Sequence, residues 1–145
     1  MIRKATVLDI SAILYMLNTM HKETELYVPT INTYKMVNKV NEVLHDGITL
    51  VAFNDKNKLL GSIGGTICND WWSDEKYLAD AWFYVYPDER KSNTAKNLIA
   101  DFIKIGKKAN MKIRLGHIFS GDNDRKDKFY ERLGLVKAGS TYVEV

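Results

Sequence analysis

The sequence predicts one α/β domain of the α+β kind, with helices covering a mixed, mostly antiparallel sheet. Three observations carry this. Two early segments place apolar residues at helical spacing, and strand-forming runs then follow one another with only turns or loops between them, which favours antiparallel neighbours. A later strand passes through a basic turn into a helix and on to a further strand, a β-α-β crossover. Residues 1–145 run without linker, repeat or low-complexity stretch, and 145 residues is a single domain's length.

Each element has its own signal. Ile2–Ala5 reads as a short opening strand. Thr6, three residues before Asp9, forms a weak capping box ahead of Val7, Ile10, Ile13, Leu14 and Leu17 at helical spacing. That helix is expected to end near Met20 or His21, and Lys22–Thr30, with Pro29, is a loop. A second helix, capped by Thr30 or Asn32, presents Tyr34, Met36, Val37, Val40, Val43 and Leu44 and stops at Gly47. Ile48–Phe53 is a strand, Asn54–Asn57 has turn chemistry, and Leu59–Cys68 returns as a second strand. Gly61, Gly64 and Gly65 within it point to a bulge or a close backbone approach. After the loop Asn69–Lys76 come a strand over Tyr77–Tyr86 and a helix over Ser92–Lys108, with Ala95, Leu98, Ile99, Phe102 and Ile105 on one face. Ile113–Ile118 is a strand, Asn123–Leu133 a helix closed by Gly134, and Leu135–Val145 one or two short strands.

Composition narrows the class. Hydrophobic content of 46% and charged content of 27% suit an ordinary globular protein, and a net charge of +3 is too mild to argue for nucleic acid. The clusters Lys104–Lys108 and Arg125–Lys128 read as solvated helix faces. One cysteine, Cys68, excludes an intrachain disulfide and a Cys-rich zinc site; its apolar neighbours predict a buried, inert thiol. No apolar run has membrane-spanning length and no signal-peptide pattern opens the chain, so a reducing cytoplasm is the expected compartment, with no membrane partner.

The most telling stretch is Ala81–Ile105. Strand-formers meet Pro87, then a basic, small-residue turn, then an amphipathic helix. The amide N–H groups of a helix's first turn have no intrahelical partner, and the helix dipole favours negative charge there. Arg90, Lys91 and Lys96 add positive charge around that point, so the segment suits a phosphate and hence a nucleotide-like cofactor.

This turn, Val85-Tyr86-Pro87-Asp88-Glu89-Arg90-Lys91-Ser92-Asn93-Thr94-Ala95-Lys96-Asn97-Leu98, resembles the cofactor loop of the GNAT superfamily of acetyl-coenzyme A-dependent N-acetyltransferases, V-x-P-x-x-[Q/R]-x-x-G-x-[G/A]-x-x-L. Asn123 through Leu135, ending Phe129-Tyr130-Glu131-Arg132-Leu133-Gly134-Leu135, is similar to a second family motif, N-x-x-A-x-x-x-Y-x-x-x-G-[F/L], with Lys126 in place of the small residue. The element order resembles the family along the whole chain. The resemblance implies a GNAT-like fold with six to seven strands and four helices. It implies acetyl-coenzyme A as co-substrate, no metal, and an amine-bearing small molecule or peptide as acceptor. Many relatives pair as dimers, which makes a homodimer an expectation.

By the same resemblance the cofactor would be held by Phe83, Tyr84 and Val85 beside the thioester, by Arg90, Lys91, Ser92, Asn93, Thr94, Ala95 and Lys96 at the pyrophosphate, and by Asn123 and Tyr130. Tyr130 would return a proton to the leaving thiolate; its rival reading is a tyrosine packed beneath the sheet. Asp80 is the only acidic residue of its strand and the candidate base, although Ala79 occupies the family's usual position and one residue in a regular strand means the opposite face. A bulge would correct this. His21, Glu23 and Glu25 are alternatives, since the loop after the first helix lines the acceptor site in this fold; Glu23 and Glu25 are expected to bind substrate. His45 and His117 are read as packing or capping residues. Trp71 and Trp72, beside Asp74 and Glu75, suit either a cationic amine or a contact surface. Asn93 stands where the family has glycine, and there the backbone must come close to phosphate and can require positive φ. Asparagine tolerates that conformation, so weakened cofactor binding is expected before none; the competing class is a GNAT-fold binding module without activity.

Overall fold

The structure, a computed structural model, describes residues 1–24, 28–117 and 122–144. In chain order it runs β1 (Ile2–Lys4), α1 (Ile10–Lys22), α2 (Thr33–Asp46), β2 (Ile48–Phe53), β3 (Leu59–Asn69), β4 (Lys76–Val85), α3 (Thr94–Lys108), β5 (Lys112–Arg114) and α4 (Asn123–Arg132). Short 3₁₀ turns at Val7–Asp9 and Pro87–Glu89 precede α1 and α3.

The capping box is present. Leu8 N–H donates to Thr6 Oγ1, and the Asp9 carboxylate takes the Thr6 N–H at 2.8 Å. Asp9 also pairs with Arg3 at 2.7 and 3.0 Å, which ties the first strand to the first helix, and this pairing holds its carboxyl below the usual range. Asn32, one of the two expected caps, accepts from Lys35 N–H at the start of α2.

The sheet order is β1-β2-β3-β4-β5, antiparallel except for the parallel pair β4–β5. Alternation along β2 sends Val51 and Phe53 to one face and Leu50 and Ala52 to the other. The first face packs Ile13, Met16, Leu17, Val40 and Val43 of α1 and α2; the second packs Leu98, Ile99 and Phe102 of α3. One buried polar chain crosses the first face: Trp82 Nε1–H donates to Ser62 Oγ at 3.1 Å, and Ser62 Oγ–H to the Leu50 carbonyl at 2.8 Å.

The glycines of β3 do what their spacing predicted. Gly64 pairs with Trp82 but Gly65 pairs with Asp80, so Ala81 is the extra residue of a β-bulge. A Cβ on Gly64 would lie 2.4 Å from the Trp82 ring, and one on Gly65 2.4 Å from Phe102. The bulge reverses which face the following side chains meet. Trp82 and Tyr84 pack with α1 and α2, whereas Leu78, of the same parity, packs with α3.

Three expectations are corrected. The sheet has five strands among the described residues, not six to seven, because residues 135–144 form no strand. Val136, Tyr142 and Val143 are exposed there; their alternation reflects strand propensity, which becomes a strand only where a neighbouring ladder is available. β5 is also short: residues 115–117 leave the sheet, and the Gly116 N–H goes to the Asp80 carboxylate at 3.1 Å. Ile118 lies outside the described residues. Cys68 is half-buried at the far end of β3 rather than buried.

Candidate active site

Where β5 parts from β4, a cavity of about 630 Å³ opens between the two strand ends, the C-terminal end of α1, the N-terminal end of α3 and α4. Its wall includes Phe83, Tyr84 and Val85 of β4, Arg90 and Ala95 of the basic turn and α3, and Tyr130 of α4. Asp80, Glu23 and Asp122 form the acidic part of that wall. Eight of the residues singled out in the sequence therefore share one cavity.

The bulge at Ala81 explains how Asp80 reaches it. Below the bulge even-numbered residues face α3 and α4, so Asp80 meets Tyr130 across the gap. Burial raises the Asp80 carboxyl to about 6, against the opposing pull of the Gly116 N–H and of His117. Burial, and then the Asp80 charge, raise the Tyr130 phenol, which therefore keeps its proton through neutral pH.

Tyr130 is held on both sides. Its ring stacks on His117, with centroids 5.6 Å apart and planes within 6°, and meets Phe129 edge-on at 5.5 Å. His117 Nε2 is 2.8 Å from Asp127, which also takes Lys137 Nζ at 2.9 Å. Lys137 first, and His117 second, hold the Asp127 carboxyl below its ordinary value. His117, expected to pack or cap, stacks on Tyr130 and also lines the cavity. The usable signal was its place at the end of the crossover strand, one residue after a glycine.

The turn before α3 is built as a helix N-terminus open to an anion. Asn97 N–H is the amide that bonds the Asn93 carbonyl, at 2.9 Å, and the amides ahead of it lie upstream of the first α-helical bond. Ser92 Oγ–H donates to Glu89 O at 2.6 Å, and Ser92 Oγ accepts Thr94 N–H at 3.2 Å. Asn93 has φ −84° and ψ 4°, so this position needs no left-handed backbone and asparagine carries no conformational penalty. Lys91, Ser92, Asn93, Thr94 and Lys96 flank the cavity mouth in sequence without being part of its wall; Asn123 opens α4 behind Asp122, which does line it. Asp122 holds a left-handed conformation, φ 60°, and caps α4 through Arg125 N–H.

Glu23 joins the two sides of the cavity. Its Oε1 accepts the Tyr84 hydroxyl at 2.5 Å and its Oε2 pairs with Arg90 Nη2 at 2.7 Å. Arg90 Nε–H also donates to the Val85 carbonyl at 2.9 Å. Burial, and then Glu23, raise the Tyr84 phenol. Other candidates lie elsewhere. Trp71 and Trp72 form an edge-on pair at the β3–β4 turn, 92% and 67% exposed and outside the cavity wall. His21 Nε2 is 2.9 Å from the Pro29 carbonyl, and His45 Nδ1 is 2.8 Å from the Asn41 carbonyl at the end of α2. Glu25 lies outside the described residues. No group of three or more His, Cys, Asp or Glu able to hold a metal occurs among the described residues, and no helix there is long and apolar enough to cross a membrane.

Residues 14–135 match the model of the acetyltransferase (GNAT) family. No curated protein matches the sequence. Among solved structures, the chain is similar to an acetyltransferase of Trypanosoma brucei, with TM-score 0.71 and 19% identity over 100% of this chain and 97% of that one. It is similar to the aminoglycoside 6'-N-acetyltransferase AAC(6')-IG of Acinetobacter haemolyticus, with TM-score 0.75 and 14% identity over 100% and 97%. Glucosamine-6-phosphate N-acetyltransferase of Arabidopsis thaliana gives TM-score 0.74 and 14% identity over the same shares, 100% and 97%. At these identities the likeness is one of fold.

Proposed function

The chain belongs to the GNAT acetyltransferase family, and we propose that it transfers an acetyl group from acetyl-coenzyme A to a primary amine of a small molecule or peptide. The observation that carries this reading is the single cavity in which a buried carboxylate, Asp80, and a buried phenol, Tyr130, face the end of β4 next to a basic helix N-terminus. The residues present fit the co-substrate. The amides at the start of α3, with Arg90, Lys91 and Lys96 nearby and Ser92, Asn93 and Thr94 forming the turn, suit a pyrophosphate. Ala95 keeps the wall low where a longer side chain would fill the cavity, and Phe83, Tyr84 and Val85 supply the strand end beside which a thioester would lie.

When bound, acetyl-coenzyme A supplies an activated acyl group and a thiolate leaving group. The protein's part is to move two protons and hold the reactants. Asp80, raised to about 6, is ionised at neutral pH yet basic enough to accept the acceptor ammonium's proton, leaving a neutral amine. Tyr130 keeps its proton until charge gathers on sulfur. An ordinary phenol at ~10 lies somewhat above a thiol at ~8.5, and the same desolvation that raises Tyr130 raises a thiol beside it. Asn123 at the start of α4 would contact the cofactor's amide-bearing arm. Glu23 borders the acceptor side. That similar folds belong to enzymes named for aminoglycoside and glucosamine-6-phosphate acetylation supports an amine acceptor.

The test is acetyl-coenzyme A turnover with a panel of primary amines, read by release of the free thiol. Tyr130→Phe is expected to lower kcat about 10²-fold with the KM for acetyl-coenzyme A little changed. Full turnover by that variant would remove Tyr130 from the mechanism, and no heat on titrating the protein with millimolar acetyl-coenzyme A would remove the enzyme reading.

A further inference from the structure

Glu23, at the end of α1, lines the part of the cavity that the proposed function gives to the acceptor, and both its oxygens are engaged by groups that it gives to the cofactor. Tyr84 lies in β4, and Arg90 lies in the turn that leads to α3. The Arg90 guanidinium sits 5.2 Å over the Tyr84 ring and also holds the Val85 carbonyl. The ion pair is reachable by solvent, its side chains 44% and 30% exposed. Such pairs are weak, whereas a pyrophosphate offers Arg90 more negative charge and a bidentate partner. A pyrophosphate that draws the Arg90 guanidinium toward the start of α3 competes with Glu23 for it, so the carboxylate at Glu23 is exchangeable.

The chemistry of the exchange limits what replaces Arg90. A carboxylate that only ion-pairs with an amine holds it in the ammonium form, which opposes attack unless the carboxylate itself takes the proton. Asp80, on the other face of the bulge, is the carboxylate suited to the reacting nitrogen. Glu23 is suited to a nitrogen that stays charged. Resting on the acetyl-transfer reading above, we infer that Glu23 recognises a second, non-reacting ammonium of the acceptor, and that it is freed for this when Arg90 turns to the cofactor's pyrophosphate. The acceptor class is then a diamine or an amino sugar bearing more than one amine, and the two ligands bind cooperatively without touching at Glu23. Linkage requires this coupling to be reciprocal.

The experiment compares diaminobutane with butylamine as acceptors, and coenzyme A binding by calorimetry, in the wild type and in Glu23→Gln. Glutamine keeps an acceptor for the Tyr84 hydroxyl and removes the charge. The wild type is expected to prefer the diamine about tenfold in kcat/KM, and Glu23→Gln to lose that preference. Glu23→Gln should also bind coenzyme A about two- to fivefold more tightly, because Arg90 is no longer held. Diaminobutane should tighten coenzyme A binding in the wild type and not in the variant. Arg90→Gln provides the second variant: it should bind diaminobutane measurably without coenzyme A. If the wild type binds coenzyme A and acetylates amines while none of these differences appears, the Glu23 inference fails and acetyl transfer stands. If the wild type binds no coenzyme A, both fall.

Discussion

Two carboxylates shifted in opposite directions illustrate how single residues set this protein's behaviour. Asp9 is 6% exposed and carries the capping box and the Arg3 pair, with its folded pKa depressed. A depressed value contributes stability above the unfolded pKa, near 3.8, and loses it as pH falls through the folded one. Asp9→Asn is therefore expected to cost about 1–3 kcal/mol at pH 7 by urea denaturation, with the difference closing in strong acid. A constant difference from neutral pH down to strong acid would show that charge is not the cause. Asp80 shifts the other way, to about 6, and on the proposed mechanism acts as the proton acceptor. On the proposed mechanism kcat/KM falls about tenfold per pH unit below that value, since the protonated carboxyl cannot take a proton. Asp80→Asn should lower kcat/KM about 10²-fold at pH 8 and abolish that acid limb; an unaltered limb assigns the proton acceptor elsewhere.

At the scale of elements, the bulge in β4 is the decisive feature. It depends on β3 having no side chain where Trp82 and Phe102 close over it, at Gly64 and Gly65. A Cβ on Gly65 would sit 2.4 Å from the Phe102 ring, inside a fully buried part of the core. Gly65→Ala should therefore destabilise by about 1–3 kcal/mol in a denaturant melt, whereas Gly139→Ala, with open space around it, should change little. The glycines were visible in the sequence as interruptions of a strand. Which residue of the partner strand became the extra one was not, because the pleat alternates by single residues and only the pairing of β3 with β4 counts them. The helices behaved differently. Asn32, Gly47 and Gly134 cap or close their helices where the sequence placed them, since a cap is a contact within a few residues of itself. The C-terminal strands failed for the converse reason, having propensity but no ladder to join.

For the whole molecule, the sheet separates two apolar clusters, one under α1 and α2 and one under α3 and α4, and the cavity lies where the second is incomplete. Phe129, Tyr130 and Leu133 of α4 are only partly buried against it. Coenzyme A in this gap would add contacts to the least covered edge of the core and stabilise the folded state by mass action. At 100 times its Kd the ligand should contribute about 2.7 kcal/mol, a rise in Tm of about 5–10 °C by thermal unfolding. No rise at millimolar coenzyme A would count against cofactor binding in this cavity.

Read alone, the sequence determined the order and type of nearly every element, the open helix N-terminus after Pro87, and the pairing of that turn with a later tyrosine helix. The elements and the open N-terminus follow from periodicity, caps and turn chemistry, which act over a few residues, and the pairing of turn and tyrosine helix from the resemblance to the family's two motifs. Tertiary structure alone decided that Asp80 faces the cavity, that His117 stacks on Tyr130, and that Glu23 and Arg90, 67 residues apart, form an ion pair. Strand register, the parting of β5 from β4 and long-range ion pairs arise only when distant segments are packed together, and no local pattern records them.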